Sequence, residues 1–272
     1  MDKGFETQNF QPELPENKTL PHISKFLEAT YQGFENKQTE HVHKNDEGYG
    51  HILREISDSD VESEKTRVGI IVGNGAILSS LPEIPADVII MSDYNPFIHQ
   101  WTQFTQRVLA ESGSIDEYKK KVYDQQNPIY SESYKEGLER EMADLGERHF
   151  LSSEDRFQKC KEALTRKKIL MGALDLRNAD ALRKLADVLT QDNSEITFAN
   201  LTNVWEHAGN SMEQAIPNLP FHSEARILFS SRAYTERFFP KMMGVCRGLA
   251  KYIENAKSAY SFWTYKNKNG YR

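Results

Sequence analysis

Two short apolar runs lying close together dominate the hydrophobic pattern in the first half of the chain. The first, Val68–Val72, is β-branched and short, which is typical of a strand buried on both faces. It ends at Gly73, where a tight turn can form and the backbone can approach a ligand closely. The second run, Val88–Met91, is followed by Ser92 and Asp93. The order strand, glycine turn, strand and acid predicts the start of a doubly wound nucleotide-binding sheet.

The apolar spacing changes to that of a helix on either side of these runs. Pro96 predicts the first position of a helix. The apolar stripe of this helix comprises Phe97, Trp101, Phe104 and Val108. Another helix is predicted from His22, and residues 111–165 carry helical sequence with no clear strand. Within that stretch Ser152, three positions before Asp155, predicts a capped helix start. A plain connection between parallel strands would be shorter, so we expect a helical insertion there.

Strand-like runs return after residue 168. A helix capped by Asn178 is predicted between the first two of them, and a long amphipathic helix is predicted after the last. The runs are Ile169–Met171, Glu195–Leu201 and Ala225–Ser230, and the inward positions of the last helix are Met242, Val245, Cys246, Leu249 and Ile253. The sequence therefore predicts an α/β fold. Its centre is a doubly wound, mostly parallel, Rossmann-like sheet, with N-terminal helices and a helical insertion.

These elements divide the chain into two parts. We expect residues 1–66 to form an N-terminal arm and a helical cap that folds over the cofactor or substrate. We expect residues 67–272 to form a Rossmann-like cofactor-binding domain, with the helical insertion at about 111–165. Insertions at the top edge of such a sheet commonly shape the substrate pocket, because loops there carry specificity.

Composition and charge narrow the classes of function. The net charge is −6 with 27% charged residues, which gives no electrostatic case for binding nucleic acid. No apolar run approaches the ~20 residues of a membrane span, and the N-terminus has no signal-peptide core. We expect a soluble, cytoplasmic protein, with delivery elsewhere by a non-classical route left open.

The cysteines and histidines suggest no metal or redox chemistry. Cys160 and Cys246 lack metal or redox spacing and are interpreted as reduced core thiols. No metal site is expected, because glycines interrupt the histidine-containing stretch at residues 41–51.

The candidate site lies where a ligand binds such a sheet, beyond the carboxyl ends of the strands. Gly73, Asn74 and Gly75 are predicted to contact the cofactor through their backbone. Asp93 follows Gly73 by about 20 residues, the spacing expected of the acid that holds ribose hydroxyls. A carboxylate accepts two hydroxyl hydrogen bonds at once, which suits a ribose. The alternative for Asp93 is that it caps the helix that begins at Pro96.

From Arg67 to about Tyr265 the order of these pieces resembles the class I S-adenosylmethionine-dependent methyltransferases. The resemblance implies that the glycine turn lies beside the methionine part of S-adenosylmethionine and that Asp93 holds both ribose hydroxyls. It further implies that Asp175 lies beside the adenine amino group, with helix capping as its alternative. Asn200, near the end of the fourth strand, then falls close to the transferred methyl group.

Two further residues stand where chemistry is expected after the fourth strand. They are Asn203 and His207, and His207 could act as a general base because its unperturbed pKa lies near neutrality. Methyl transfer from a sulfonium needs mainly alignment of nucleophile and methyl group, so a base is not required. A plain surface or core histidine is the other interpretation of His207.

The chain also departs from the family pattern. Ile71 stands two residues before the first glycine, where the family has an acid. Ile77 stands at the position of the third glycine, and no Asn-Pro-Pro-aromatic motif follows the fourth strand.

The predicted function is an S-adenosylmethionine-dependent transferase, expected to be a methyltransferase with a small-molecule or protein acceptor. Aminocarboxypropyl transfer stays open. The alternatives are an inactive, methyltransferase-like module that docks a partner, and an NAD-dependent oxidoreductase. Leu78 occupies the third-glycine position of the dinucleotide fingerprint and argues against the oxidoreductase.

Overall fold

The protein is built on a six-stranded sheet. The computed structural model describes residues 20–30, 49–74, 76–93, 96–124, 132–202, 204, 215–231 and 242–255. The strands are β1 (Thr66–Val72), β2 (Val88–Ser92), β3 (Lys168–Gly172), β4 (Ser194–Asn200), β5 (Phe221–Ser231) and β6 (Met242–Arg247). Their order in the sheet is β3-β2-β1-β4-β5-β6. Strands β1 to β5 are parallel and β6 runs antiparallel to β5. The predicted α/β fold with a doubly wound, mostly parallel sheet is confirmed.

Helices cover both faces of this sheet. They are α1 (Pro21–Thr30), α2 (Tyr49–Ile52), α3 (Ile77–Ser80), α4 (Pro96–Glu111), α5 (Ile115–Val122), α6 (Glu132–Leu145), α7 (Glu154–Arg166) and α8 (Ala179–Gln191). Successive residues of β1 point to opposite faces, so Ile70 packs in the core with α1 and α8, while Ile71 packs in the core with α2 to α7. Because the central residues of β1 and β2 are buried on both sides, these strands show continuous apolar runs rather than alternation.

The strand order reverses direction next to β1. From β1 the chain passes through β2 to β3 on one side, and β4 then returns to lie on the other side of β1. The connections after β1 and β3 therefore leave the sheet in opposite directions, which opens a crevice at the carboxyl ends of β1 and β4. This topological switch point is where open α/β sheets bind their ligands.

The helices α4 to α7 all lie between β2 and β3, where the sequence predicts an insertion. The start of α7 differs from the prediction by one residue. Ser153, not Ser152, is the N-cap: its backbone is extended and its hydroxyl accepts a hydrogen bond from the Arg156 N–H at 3.1 Å. Ser152 instead donates its hydroxyl to the Glu147 carbonyl. Either serine can precede a first turn rich in acids, so the sequence alone does not choose between them.

The predicted long helix through residues 242–253 is wrong over its first half. Met242–Arg247 is β6, which pairs with β5, and within the described ranges the helix covers residues 249–255. Gly248 separates the two with a left-handed φ of 75°, and a Cβ there would stand 2.6 Å from the Ser223 carbonyl oxygen. The apolar spacing matches a helix over this short stretch, but edge pairing with β5 determines the structure.

The N-terminal part packs against the rest of the fold at two places. In α1, the Thr30 hydroxyl accepts a hydrogen bond from the Ala173 N–H at 2.9 Å, just beyond β3. In α2, Gly50 lies so close to α6 that a Cβ would stand 2.7 Å from the Asp144 carbonyl oxygen. Residues 1–19 lie outside the described residues, and the division of the chain at residue 66 stays a prediction. Among the helices in the described ranges, none is long and apolar enough to cross a membrane.

Both cysteines are free and buried. Cys160 lies in α7, and burial raises the pKa of its thiol to about 12. Cys246 lies in β6 and accepts a hydrogen bond from the side-chain amide of Asn255 at 3.2 Å. Burial outweighs this hydrogen bond and raises the pKa of Cys246 as well, so neither thiol is activated as a nucleophile.

Candidate functional site

The glycine turn after β1 and the acid after β2 lie together at the switch point. Gly73 adopts a left-handed φ of 72°, and its N–H donates to the Ser92 carbonyl at 3.0 Å. A Cβ at Gly73 would stand 3.6 Å from Oδ2 of Asp93, so the carboxylate lies directly against the turn. The left-handed backbone favours glycine, and the absent side chain leaves room for a ligand beside Asp93.

Ser92 fixes the edge from which Asp93 projects. Its fully buried hydroxyl donates to the Leu174 carbonyl at 2.9 Å and accepts from the Leu174 N–H at 3.1 Å. The Asp93 N–H donates to the Gly172 carbonyl at 3.3 Å. These bonds join the ends of β2 and β3. They also give the buried Ser92 hydroxyl both a donor and an acceptor partner, which a buried polar group needs. No motif in the sequence marks Ser92 for this role.

Asp175 lies in the turn after β3 and is paired within that turn. Its Oδ1 accepts from the Arg177 backbone N–H at 2.8 Å, and Arg177 also donates to both carboxylate oxygens at 2.9 and 3.0 Å. Helix α8 is capped by Asn178, whose side-chain oxygen accepts from the N–H groups of Asp180 and Ala181. Asp175 therefore does not serve as the cap. Its carboxylate has about four acceptor positions, so the Arg177 pair does not exhaust it.

Asn200 ends β4 and is almost fully buried. Its side-chain N–H donates to the Tyr49 hydroxyl at 3.2 Å, and its side-chain oxygen accepts from the Thr202 hydroxyl at 2.8 Å. Tyr49 is equally buried, and burial raises its pKa far above the usual tyrosine range, so it stays a neutral hydroxyl. The contact brings α2 to the carboxyl edge of the sheet beside β4. The sequence does not predict this contact, because Tyr49 and Asn200 are 151 positions apart.

Replacing Tyr49 by Phe tests this contact. The Tyr49→Phe variant keeps the ring but removes the acceptor of the buried Asn200 N–H. An unsatisfied buried donor costs about 1–3 kcal/mol, so we expect the free energy of unfolding to fall by that amount. Urea denaturation followed by circular dichroism measures it. An unchanged denaturation midpoint would show that the hydrogen bond makes no net contribution.

The first turns of α4 carry a buried histidine near the candidate site. His99 is 5% exposed, and burial lowers its pKa to about 4. A proton is therefore bound more weakly in the folded state than in the unfolded state, whose histidine pKa is near 6.5. The stability contributed by neutral His99 is present above pH 6.5 and is lost as the pH falls towards 4.

We expect acidification from pH 7 to pH 5 to remove about 2 kcal/mol of stability through His99. A His99→Gln variant should show a smaller loss over the same range, because glutamine does not titrate. Urea denaturation of both proteins at several pH values measures the difference. Parallel pH dependence in the two proteins would refute the assignment to His99.

Several predicted site residues cannot be placed. Gly75, Asn203 and His207 lie outside the described residues. Asn74 follows Gly73, and its carbonyl accepts a hydrogen bond from the Ile77 N–H at 3.0 Å. Within the described ranges, no three His, Cys, Asp or Glu side chains are grouped so as to hold a metal ion. The described part of the site thus contains Gly73, Asn74, Asp93, Asp175 and Asn200, spread along the carboxyl ends of β1 to β4.

Comparison with known proteins gives only a distant likeness. No protein-family model matches the chain, and no curated protein matches its sequence. Similar solved structures include two of the rRNA methyltransferase aviRa from Streptomyces viridochromogenes, at 2.4 and 1.5 Å. The first has a TM-score of 0.37 and 10% identity, covering 73% of this chain and 83% of that chain. The second has a TM-score of 0.38 and 11% identity, covering 75% and 84%. Likeness at this level carries no weight for function, and the fold assignment rests on the strand order and directions described above.

Proposed function

We propose that the protein is an S-adenosylmethionine-dependent transferase that moves a methyl group to a small-molecule or protein acceptor. The observation that carries the proposal is the contact between the Gly73 turn and the Asp93 carboxylate at the switch point of the sheet. A carboxylate beside an open backbone turn can accept hydrogen bonds from both hydroxyls of a ribose while the rest of the ligand passes over the turn.

The short helix after the glycine turn favours S-adenosylmethionine over a dinucleotide. NAD carries a pyrophosphate, which such folds bind at the N-terminus of a long helix with aligned peptide dipoles. Here α3 has only 4 residues, and the residue before it, Ala76, has a left-handed φ of 49°. One helical turn supplies little dipole for a pyrophosphate. S-adenosylmethionine has no phosphate and needs no such helix.

The residues present fit the proposed cofactor in the following way. Gly73, Asn74 and Gly75 would lie beside its methionine part, Asp93 would hold the ribose and Asp175 would face the adenine. Asn200 would lie near the methyl group. When bound, the sulfonium supplies an electrophilic methyl group. The polypeptide then needs mainly to align the acceptor with it, which we assign to Asn203, with His207 as the candidate base.

A thermal-shift titration with S-adenosylmethionine, S-adenosylhomocysteine and NAD tests the proposal. A ligand at 100 times its dissociation constant adds about 2.7 kcal/mol to stability, which a melting curve resolves easily. We expect both adenosyl ligands to raise the melting temperature and NAD to have no effect. Stabilisation by NAD alone would favour an oxidoreductase. No stabilisation by any of them would favour a module that binds a partner instead.

A further inference from the structure

A small pocket lies beside the glycine turn, between that turn and the helices α4, α5 and α6. Its volume is about 20 Å³. Roughly 10–15 Å³ is enough to hold one water molecule, so the pocket accepts one group of that size. The lining residues that matter here are Asn74, Trp101, Thr105, Tyr118, Glu141 and Phe150.

The Tyr118 hydroxyl in this pocket has no partner among the residues that the structure describes. Tyr118 is completely buried, and within the described part of the chain its hydroxyl makes no hydrogen bond. Its ring is held by edge-to-face contacts with Phe150 and Phe157, at centroid distances of 5.1 and 6.1 Å. Burial, and next the nearby charge of Glu141, raise its pKa well above the usual value, so the group stays a neutral hydroxyl. A buried hydroxyl without a partner is unfavourable, and a ligand that bonds to it would remove this penalty.

Glu141 brings a carboxylate to the same pocket. It is 6% exposed, and its Oε1 lies 3.6 Å from Nε2 of His149, which is completely buried. Nδ1 of His149 accepts a hydrogen bond from the Leu151 N–H at 3.1 Å, so its ring hydrogen is on Nε2. A neutral imidazole therefore faces the carboxylate. The pocket thus combines a buried carboxylate with aromatic rings.

We propose that this pocket binds the primary ammonium group of a small-molecule ligand. An ammonium group has three N–H donors and is close to water in size. The Glu141 carboxylate and the hydroxyl oxygens of Tyr118 and Thr105 supply three acceptors. The Thr105 hydroxyl donates to the Trp101 and Thr102 carbonyls, which leaves its oxygen able to accept. The rings of Trp101 and Phe150 complete the site, because aromatic faces attract cations.

The chemistry of the pocket excludes other classes of ligand group. A quaternary ammonium is larger than the pocket, and a carboxylate or phosphate would be repelled by Glu141. Asn74 belongs both to the pocket lining and to the turn that we assign to the cofactor. An amine bound here would lie next to the proposed cofactor. Identifying it as part of the acceptor, unlike ammonium binding itself, rests on the proposed function.

Melting curves of the whole protein without cofactor test the proposal, with n-butylammonium chloride as the probe. Sodium chloride at equal ionic strength, n-butanol and tetramethylammonium chloride are the controls. At ten times its dissociation constant, n-butylammonium should raise the melting temperature by about 3–6 °C, while the controls should not. Glu141→Gln and Tyr118→Phe should each weaken binding at least about tenfold, because each removes one partner of a charged group.

The unliganded variants separate binding from a purely structural role. Tyr118→Phe should melt at the same temperature as the wild type or higher, because its hydroxyl has no hydrogen bond to lose within the described residues. A clear fall in its melting temperature would overturn the proposal, as would the absence of any shift with n-butylammonium. Equal shifts in the wild type and Glu141→Gln would also overturn it, since binding would then occur elsewhere. Binding of n-butylammonium without binding of S-adenosylmethionine would support the pocket and refute the proposed transferase. The reverse result would refute the pocket alone.

Discussion

Asp93→Ala should weaken binding of S-adenosylhomocysteine at least 100-fold. The carboxylate is assigned two ribose hydroxyls, and hydrogen bonds to a charged group contribute about 1.5–3 kcal/mol each. Since about 1.4 kcal/mol corresponds to a factor of ten in affinity, losing both gives a factor of 100 or more. Isothermal titration calorimetry on both proteins measures the effect. The fold should survive, because Asp93 is only half-buried at the end of β2.

Two further variants control this experiment. Asp93→Asn keeps the shape and one acceptor, so its affinity should lie between those of the wild type and Asp93→Ala. Asp187→Ala removes an exposed carboxylate from the middle of α8 and should leave affinity unchanged. If Asp93→Ala binds the ligand as tightly as the wild type, Asp93 does not hold the ribose. Its role would then be structural.

Glu83→Ala should cause the largest loss of stability among the variants proposed here. Glu83 and Arg156 are 7% and 8% exposed and form a two-pronged ion pair, with Nη1 and Nη2 of Arg156 at 2.7 and 2.8 Å from the two carboxylate oxygens. Arg148 donates to the same carboxylate at 3.1 Å. The pair ties α7 to the connection between α3 and β2. Removing the carboxylate leaves a buried guanidinium charge uncompensated, which costs about 3–5 kcal/mol.

An exposed ion pair on the same helix provides the matched control. Lys159 and Asp155 lie 2.8 Å apart, and their side chains are 59% and 77% exposed. Lys159→Ala should therefore change the free energy of unfolding by less than about 1 kcal/mol. Urea denaturation of both variants compares the two effects directly. A similar small loss in both would mean that the Glu83–Arg156 pair adds little to the attachment of α7.

The elements that sequence predicts well are those whose signal is local. β1 and β2 were predicted to within two residues, because strands buried on both faces leave continuous apolar runs. Asn178 was predicted as a cap, because its side chain bonds to N–H groups only two and three residues away. β6 was missed because pairing with β5, a contact remote in sequence, decides between a strand and a helix there.

The residues of the candidate site likewise fall into those that local sequence predicts and those that it does not. Gly73 and Asp93 were predicted because the spacing of a glycine turn and an acid follows from the strand order. Their contact within the structure supports that spacing, while their roles remain proposals. Tyr49, Tyr118 and Glu141 could not be found, because the residues that surround them at the site come from several distant segments. Gly50 was a weak signal in the sequence for the position of Tyr49. It packs so closely against α6 that only a residue without a side chain fits there, and this packing positions the neighbouring Tyr49.

The most direct test of the central claim is a crystal structure of the protein with S-adenosylhomocysteine bound. We predict that both ribose hydroxyl oxygens lie about 2.5–3.0 Å from the carboxylate oxygens of Asp93, with the homocysteine part over the turn at Gly73. A ligand bound elsewhere, or with its ribose away from Asp93, would contradict the assignment of this switch point as the cofactor site.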